Sequence, residues 1–242
     1  MDQLLVALDV DTVADARALA DRLRGAVGGF KIGSRLFTSE GPALAAELAA
    51  RGDRVFLDLK FHDIPSTVAG AVRAATRLGV WMVNVHASGG GDMMRAARAA
   101  ADDEAARLSR PAPLVIAVTM LTSLSEAALP EVGFNGAIAA HVERLARLAQ
   151  ASGLDGVVAS PHEIEIIRRR CGSSFAIVTP GIRDPADPAR SGQDDQSRTM
   201  TAADAIAAGA TYLVVGRPII AAPDPRQAAV RIARACGPLR AT

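Results

Sequence analysis

A lysine set between two carboxylates is the chemistry this chain offers most plainly. Residues 58–63 read Asp-Leu-Lys-Phe-His-Asp, so Asp58, Lys60 and Asp63 form an Asp-x-Lys-x-x-Asp series. The series closes a short run, Val55 to Leu59, bounded by Gly52-Asp53 and Pro65. Such a run reads as a buried strand. Side chains alternate along a strand, which predicts Phe56, Asp58 and Lys60 on one face and Leu57 and Leu59 on the other. Carboxylates on both sides of an amine favour its ammonium form. That suits a proton donor, or an electrostatic device aimed at a charged substrate. Simpler readings stand beside it. Asp58 and Lys60 could be an ion pair at a strand end, and Asp63 could cap the helix that Pro65 opens.

The elements around this segment say where it sits. Short β-rich runs alternate with Ala/Leu/Arg segments of helical period. The predicted strands are residues 4–9, 29–33, 54–60, 82–87, 114–121, 156–160, 175–180 and 212–216. The predicted helices are residues 14–23, 36–50, 67–78, 93–108, 137–151, 161–170, 202–208 and 226–235. Alternation of this kind implies a parallel sheet with helical crossovers. Eight units in 242 residues imply an α/β fold of one closed (β/α)8 barrel, a single domain over residues 1–242. No Gly-x-Gly-x-x-Gly follows the first strand, which argues against an open dinucleotide-binding sheet.

Barrels of this type carry their chemistry at the carboxyl ends of the strands. Those ends hold Asp9, Lys31, Asp58 and Lys60 on three successive strands, then Asn84, His86 and Thr122. Strand seven runs into Gly181-Ile182-Arg183 and strand eight into Gly216-Arg217. Loops after strands seven and eight often bind phosphate. Arg183 and Arg217, each near a glycine, suit that task with their forked donors. The connections from Thr122 to Gly136 and from Ile182 to Thr199 are long for βα loops and are lid candidates.

Composition narrows the function classes. Half the residues are hydrophobic, enough for a large core, and only 3% are aromatic. Base-stacking platforms want more aromatics, and a formal net charge of +1 calls for no polyanion or anionic membrane. Cys171 and Cys236 have no metal-ligand spacing. The amino terminus shows no basic leader, and no run approaches a membrane span, so a soluble cytoplasmic protein is expected. His162-Glu163 lacks a second histidine at zincin spacing. Arg168-Arg169-Arg170 suits a helix carboxyl terminus better than a nucleic acid. His86 is expected to be a hydrogen-bonded barrel histidine.

Together these residues resemble the orotidine 5′-monophosphate decarboxylase family over nearly the whole chain. The resemblance rests on Leu8-Asp9, Phe30-Lys31-Ile32-Gly33, Asp58 through Pro65, Leu121-Thr122-Ser123, Thr179 through Arg183, Asp195-Gln196 and Val215 through Ile219. It implies a homodimer with sites at the subunit interface and no cofactor. Lys31, Asp58, Lys60 and Asp63 would form the charged array, with Asp63 and Thr67 reaching the neighbouring site and Lys60 donating the proton. Asp9 and Lys31 would contact the ribose and Thr122 the pyrimidine region. Gln196 would bridge base and phosphate. It is preferred to Gln193 because Asp-Gln-x-Arg before Met-Thr fits the family better. Arg183, Gly216 and Arg217 would hold the phosphate. The Asp-x-Lys-x-x-Asp element is shared with Mg-dependent sugar-phosphate decarboxylases and aldolases, the principal alternative, in which the carboxylates would bind metal. A non-catalytic phosphate-binding barrel is the second alternative.

Overall fold

A computed structural model describes residues 1–183 and 199–237. Its strands are β1 (Leu4–Ala7), β2 (Gly29–Gly33), β3 (Val55–Phe61), β4 (Met82–His86), β5 (Leu114–Val118), β6 (Gly156–Val158) and β7 (Ala176–Thr179). A short parallel pair, β8 (Ile182–Arg183) and β9 (Met200–Thr201), precedes β10 (Tyr212–Val215). Eight of them close into a parallel barrel in the order β1-β10-β7-β6-β5-β4-β3-β2. Around it lie α1 (Val13–Leu23), α2 (Ser34–Glu40), α3 (Ala43–Ala50), α4 (Pro65–Arg77) and α5 (Gly90–Arg107). They are followed by α6 (Ile138–Ala151), α7 (Ile164–Cys171), α8 (Ala202–Ala208), α9 (Arg217–Ile220) and α10 (Pro225–Ala235). The expected (β/α)8 barrel is the observed one.

Alternation along the strands divides the core in two. Leu5, Phe56, Met82, Ile116 and Val178 meet inside the barrel. Their strand neighbours Leu4, Val6, Leu57, Val83, Val115 and Ile177 pack outward in the larger cluster with the helices. Each large apolar side chain fully buried this way stabilises the fold by about 1.5–3 kcal/mol. At the amino-terminal end of the barrel, Trp81 meets Tyr212 edge to face, with ring centroids 5.1 Å apart. The Arg54 guanidinium stacks 5.2 Å over the indole.

Departures from the expected boundaries have local causes. The helix predicted over residues 36–50 is two helices, because Gly41 adopts φ +73° and Pro42 has no N–H to continue the first. The helix predicted over 161–170 starts as a 3₁₀ turn, Pro161–Glu163, and becomes α-helical only at Ile164. Strands β1 and β5 stop at Ala7 and Val118, before the expected Asp9 and Leu121, as the chain leaves the ladder to form the barrel mouth. The long connection after β5 contains 3₁₀ turns at Glu126–Ala128 and Pro130–Val132. Most of the second long connection, residues 184–198, lies outside the described residues.

Candidate active site

Register brings the charges together. Ala7 lies beside Lys31, and Gly33 beside Asp58, so β1, β2 and β3 present successive steps at one end of the barrel. Lys31 is buried, and its Nζ lies 3.1 Å from Asp9 Oδ1 and 3.5 Å from Asp58 Oδ2. Lys60 Nζ donates to the other Asp58 oxygen at 2.7 Å. Asp58 thus stands between two ammonium groups. Gly33 makes room for this: a Cβ there would fall 2.9 Å from Lys31 Nζ. Burial pushes the Asp58 carboxyl upward, but the charges of Lys31 and Lys60 and the hydrogen bonds from Lys60 and Asn84 outweigh it. The carboxyl is held below the ordinary carboxylate range.

The face predicted for Phe56, Asp58 and Lys60 is the one observed, but the backbone that carries Lys60 there is not that of a regular strand. All three line a cavity of about 340 Å³ at the barrel mouth. Between Leu57 and Phe61, however, the pairing of β3 with β4 is interrupted, and Lys60 adopts φ +53°. A left-handed backbone costs a non-glycine residue about 1–2 kcal/mol. It persists only where the surroundings enforce it, commonly at functional sites. Here the Lys60 N–H donates to Asn84 Oδ1 at 2.8 Å, and Asn84 Nδ2 donates to Asp58 Oδ1 at 2.6 Å. Asn84 stood among the strand-end residues without an assigned role. Its signal was a polar residue in the apolar run Met-Val-Asn-Val.

Thr122, Gly216 and Arg217 also line the cavity. Gly216 is the N-cap and Arg217 the first residue of α9. Gly181, at φ +78°, turns the chain into β8, where Arg183 sits. Among the described residues, Arg183 is not part of the cavity lining, and its buried Nε meets no hydrogen-bond partner. Met120, Leu121 and Val158 give the cavity apolar walls that sequence reasoning did not assign. Gln196, and its competitor Gln193, lie outside the described residues.

Asp63 and Thr67 are not brought into this cavity. Both are exposed, within an exposed run from His62 to Thr67 that includes Ile64 at 64% exposure. Asp63 Oδ1 accepts from the Ile64 N–H at 2.6 Å. Ile64, not Asp63, is the N-cap of α4, and it has no side-chain cap, so the capping reading of Asp63 does not hold. The hydrogen-bonded histidine expected at 86 is corrected too. Among the described residues His86 makes no hydrogen bond; its ring lies 5.3 Å from that of His62. Burial, then the neighbouring His62 and Lys60, lower its pKa, with Asp58 opposing. Arg168 has a structural task. It donates to the carbonyls of Gly172, Phe175 and Gly209, tying the end of α7 to the loops around it. Among the described residues no group of three or more His, Cys, Asp or Glu could hold a metal ion.

The profile of the orotidine 5′-phosphate decarboxylase / HUMPS family matches residues 2–232. The chain is 57% identical to orotidine 5′-phosphate decarboxylase of Moorella thermoacetica over 233 residues, covering 96% of this chain and 91% of the relative. It is 52% identical to the Alkalilimnicola ehrlichii enzyme of the same name, covering 96% and 95%. The crystal structure of orotidine 5′-phosphate decarboxylase from Lactobacillus acidophilus superposes with a TM-score of 0.84 at 34% identity, covering 97% of this chain and 99% of that one.

Proposed function

The chain belongs to the orotidine 5′-phosphate decarboxylase / HUMPS family, and from that premise we propose how its barrel mouth works. The reaction is decarboxylation of orotidine 5′-phosphate to uridine 5′-monophosphate and CO2, a step of pyrimidine biosynthesis. The observation that carries the residue assignment is the Asp58 carboxylate between the Lys31 and Lys60 amines, all lining one cavity.

In this reading the substrate carboxylate faces Asp58. The bond to CO2 breaks, its electron pair stays on the ring carbon, and Lys60 gives that carbon a proton; solvent then reprotonates the amine. Repulsion between the two carboxylates is a minor contributor. Like charges about 4 Å apart repel by about 4 kcal/mol at an effective dielectric near 20. Enzymatic accelerations need about 8–23 kcal/mol. The larger share is assigned to the Lys60 ammonium, preorganised where the carbanion develops. Asp9 and Lys31 bind the ribose and Thr122 the pyrimidine region. Gly216, Arg217 and Arg183 hold the phosphate, with Gln196 bridging base and phosphate. Phosphate binding far from the bond that breaks supplies energy for closing the loops over the site.

Two further parts of the reading concern assembly and place. The exposed run from His62 to Thr67 suits a second copy of the chain, so that Asp63 and Thr67 complete the neighbouring site in a homodimer. The protein acts as one domain, in the cytoplasm, without a cofactor and without nucleic-acid or membrane partners. Among the described residues no helix is long and apolar enough to cross a membrane.

The test is the absorbance change of orotidine 5′-phosphate with purified protein in excess EDTA. Full turnover is expected; activity lost to EDTA and restored by Mg would overturn the cofactor-free reading. The dimer is tested by mixing two inactive variants, Lys60→Ala and Asp63→Ala. Random exchange of subunits in a two-fold dimer regenerates about a quarter of the sites intact. No recovery after verified exchange would place Asp63 outside the neighbouring site.

A further inference from the structure

Asn84 is fully buried at the centre of β4, between Val83 and Val85. On its β5 side the ladder is regular, with Asn84 beside Ile116. On its β3 side the ladder fails. Leu57 lies beside Val83 and Phe61 beside Val85, so four steps along β3 oppose two along β4. Such an interruption leaves backbone groups of the bulged strand without ladder partners. The Lys60 N–H is one of them, and the Asn84 side chain takes it at 2.8 Å. The other end of the same amide donates to Asp58 Oδ1 at 2.6 Å, the oxygen that also accepts from Lys60 Nζ at 2.7 Å. An N–H can only donate and a carboxylate only accept, so the amide has one workable orientation.

We propose that Asn84 is a positioning residue for the decarboxylation: its one side chain holds both the left-handed backbone of Lys60 and the carboxylate of Asp58, and so sets the proton donor against the group that faces the departing CO2. This rests on the roles given to Lys60 and Asp58 above. Few side chains can do both jobs. Leucine would leave the Lys60 N–H without a partner and take from Asp58 Oδ1 one of its two donors. Aspartate keeps the acceptor for Lys60 but sets a second carboxylate against Asp58. Serine is too short to bridge the two strands at both points.

The experiment compares wild type, Asn84→Ala, Asn84→Asp and Lys60→Ala for kcat, affinity for uridine 5′-monophosphate and the pH dependence of kcat. Asn84→Ala is expected to lose about 10²-fold in kcat, as misplacement by about 1 Å does. Its affinity for the product nucleotide stays near that of wild type, because no phosphate or ribose contact is touched. Its acid limb moves to higher pH, since one of the groups that hold the Asp58 carboxyl down is gone. Asn84→Asp, nearly isosteric, carries the test if the alanine variant folds poorly. The carboxyl introduced by that substitution can again donate to Asp58 once it is protonated. The kcat of this variant therefore rises as pH falls through the shared titration of the pair, where wild type shows no such rise. Near-normal kcat in both variants overturns the proposal. So does loss of kcat and product affinity in parallel at every pH, which would mean a structural role alone. Lys60→Ala separates the two readings: if it stays active, the assignment of Lys60 fails first; if it is inactive while the Asn84 variants are normal, only the role of Asn84 fails.

Discussion

At the amino-terminal end of the barrel, Trp81, Tyr212 and Arg54 close the interior with an edge-to-face ring pair and a stacked guanidinium. A few residues further along the same strands, the interior holds Lys31, Asp58, Lys60 and Asn84 instead. The first end obeys the rules of a core: apolar bodies meet, and polar tips reach the rim. The second breaks them. It buries charges, runs Lys60 at positive φ and interrupts a ladder. Charges taken from water in this way return little net stability, yet removing one member leaves its partners uncompensated. One end of the barrel is therefore built to stabilise, and the other is held in an arrangement that costs stability.

That contrast can be broken from either side. Lys60→Ala is expected to lower kcat by about 10³-fold or more, the scale set by removing a preorganised charge stabiliser. Folding and binding of uridine 5′-monophosphate should persist, as steady-state kinetics and calorimetry would show; near-normal turnover would sink the mechanism. Trp81→Ala should do the reverse. Truncating a largely buried indole costs about 3 kcal/mol of stability, measurable by urea unfolding, with kcat per folded molecule unchanged. A large loss of kcat there would mean that the two ends are not separable. Arg217→Ala should raise KM by about 10-fold to 100-fold through loss of a charge-assisted phosphate contact. A substrate analogue lacking the phosphate should be indifferent to the change.

The smallest expected effect is one of pH. His86 has a pKa below its ordinary value when folded, so the unfolded chain takes up its proton more readily. Its contribution to stability is present above the unfolded pKa of about 6.5 and is lost as pH falls through the folded value. Wild type should therefore lose stability on acidification across that window, and His86→Phe should flatten the slope in chemical denaturation series. Asp58 acts with the same sign at lower pH: its carboxyl is held below the ordinary range, and its contribution disappears on titration there. An unchanged slope in His86→Phe would assign the acid sensitivity of the mouth to other groups.

The barrel was legible because its evidence is local and repeated. Alternating strands, helical periods and turn residues predicted eight units, and β2 and α8 lie at their predicted bounds. The candidate charges were legible because Asp9, Lys31, Asp58 and Lys60 are out of place at the ends of apolar strands. Where the reading slipped, the cause was non-local or a single residue's backbone. Gly41 at positive φ split a helix, and the capping role offered to Asp63 went to no side chain at all.

Residue order alone thus determined the fold class and the inventory of chemical groups, since both follow from periodicity and from the burial preferences of individual residue types. Only the tertiary structure decided how those groups meet. Asn84 and Lys60 are far apart in the chain, and nothing near either residue announces that β3 and β4 fall out of step between them. That mismatch arises when two strands pair. It turns Lys60 left-handed, gives its N–H to a side chain on the next strand, and sets the ammonium against Asp58.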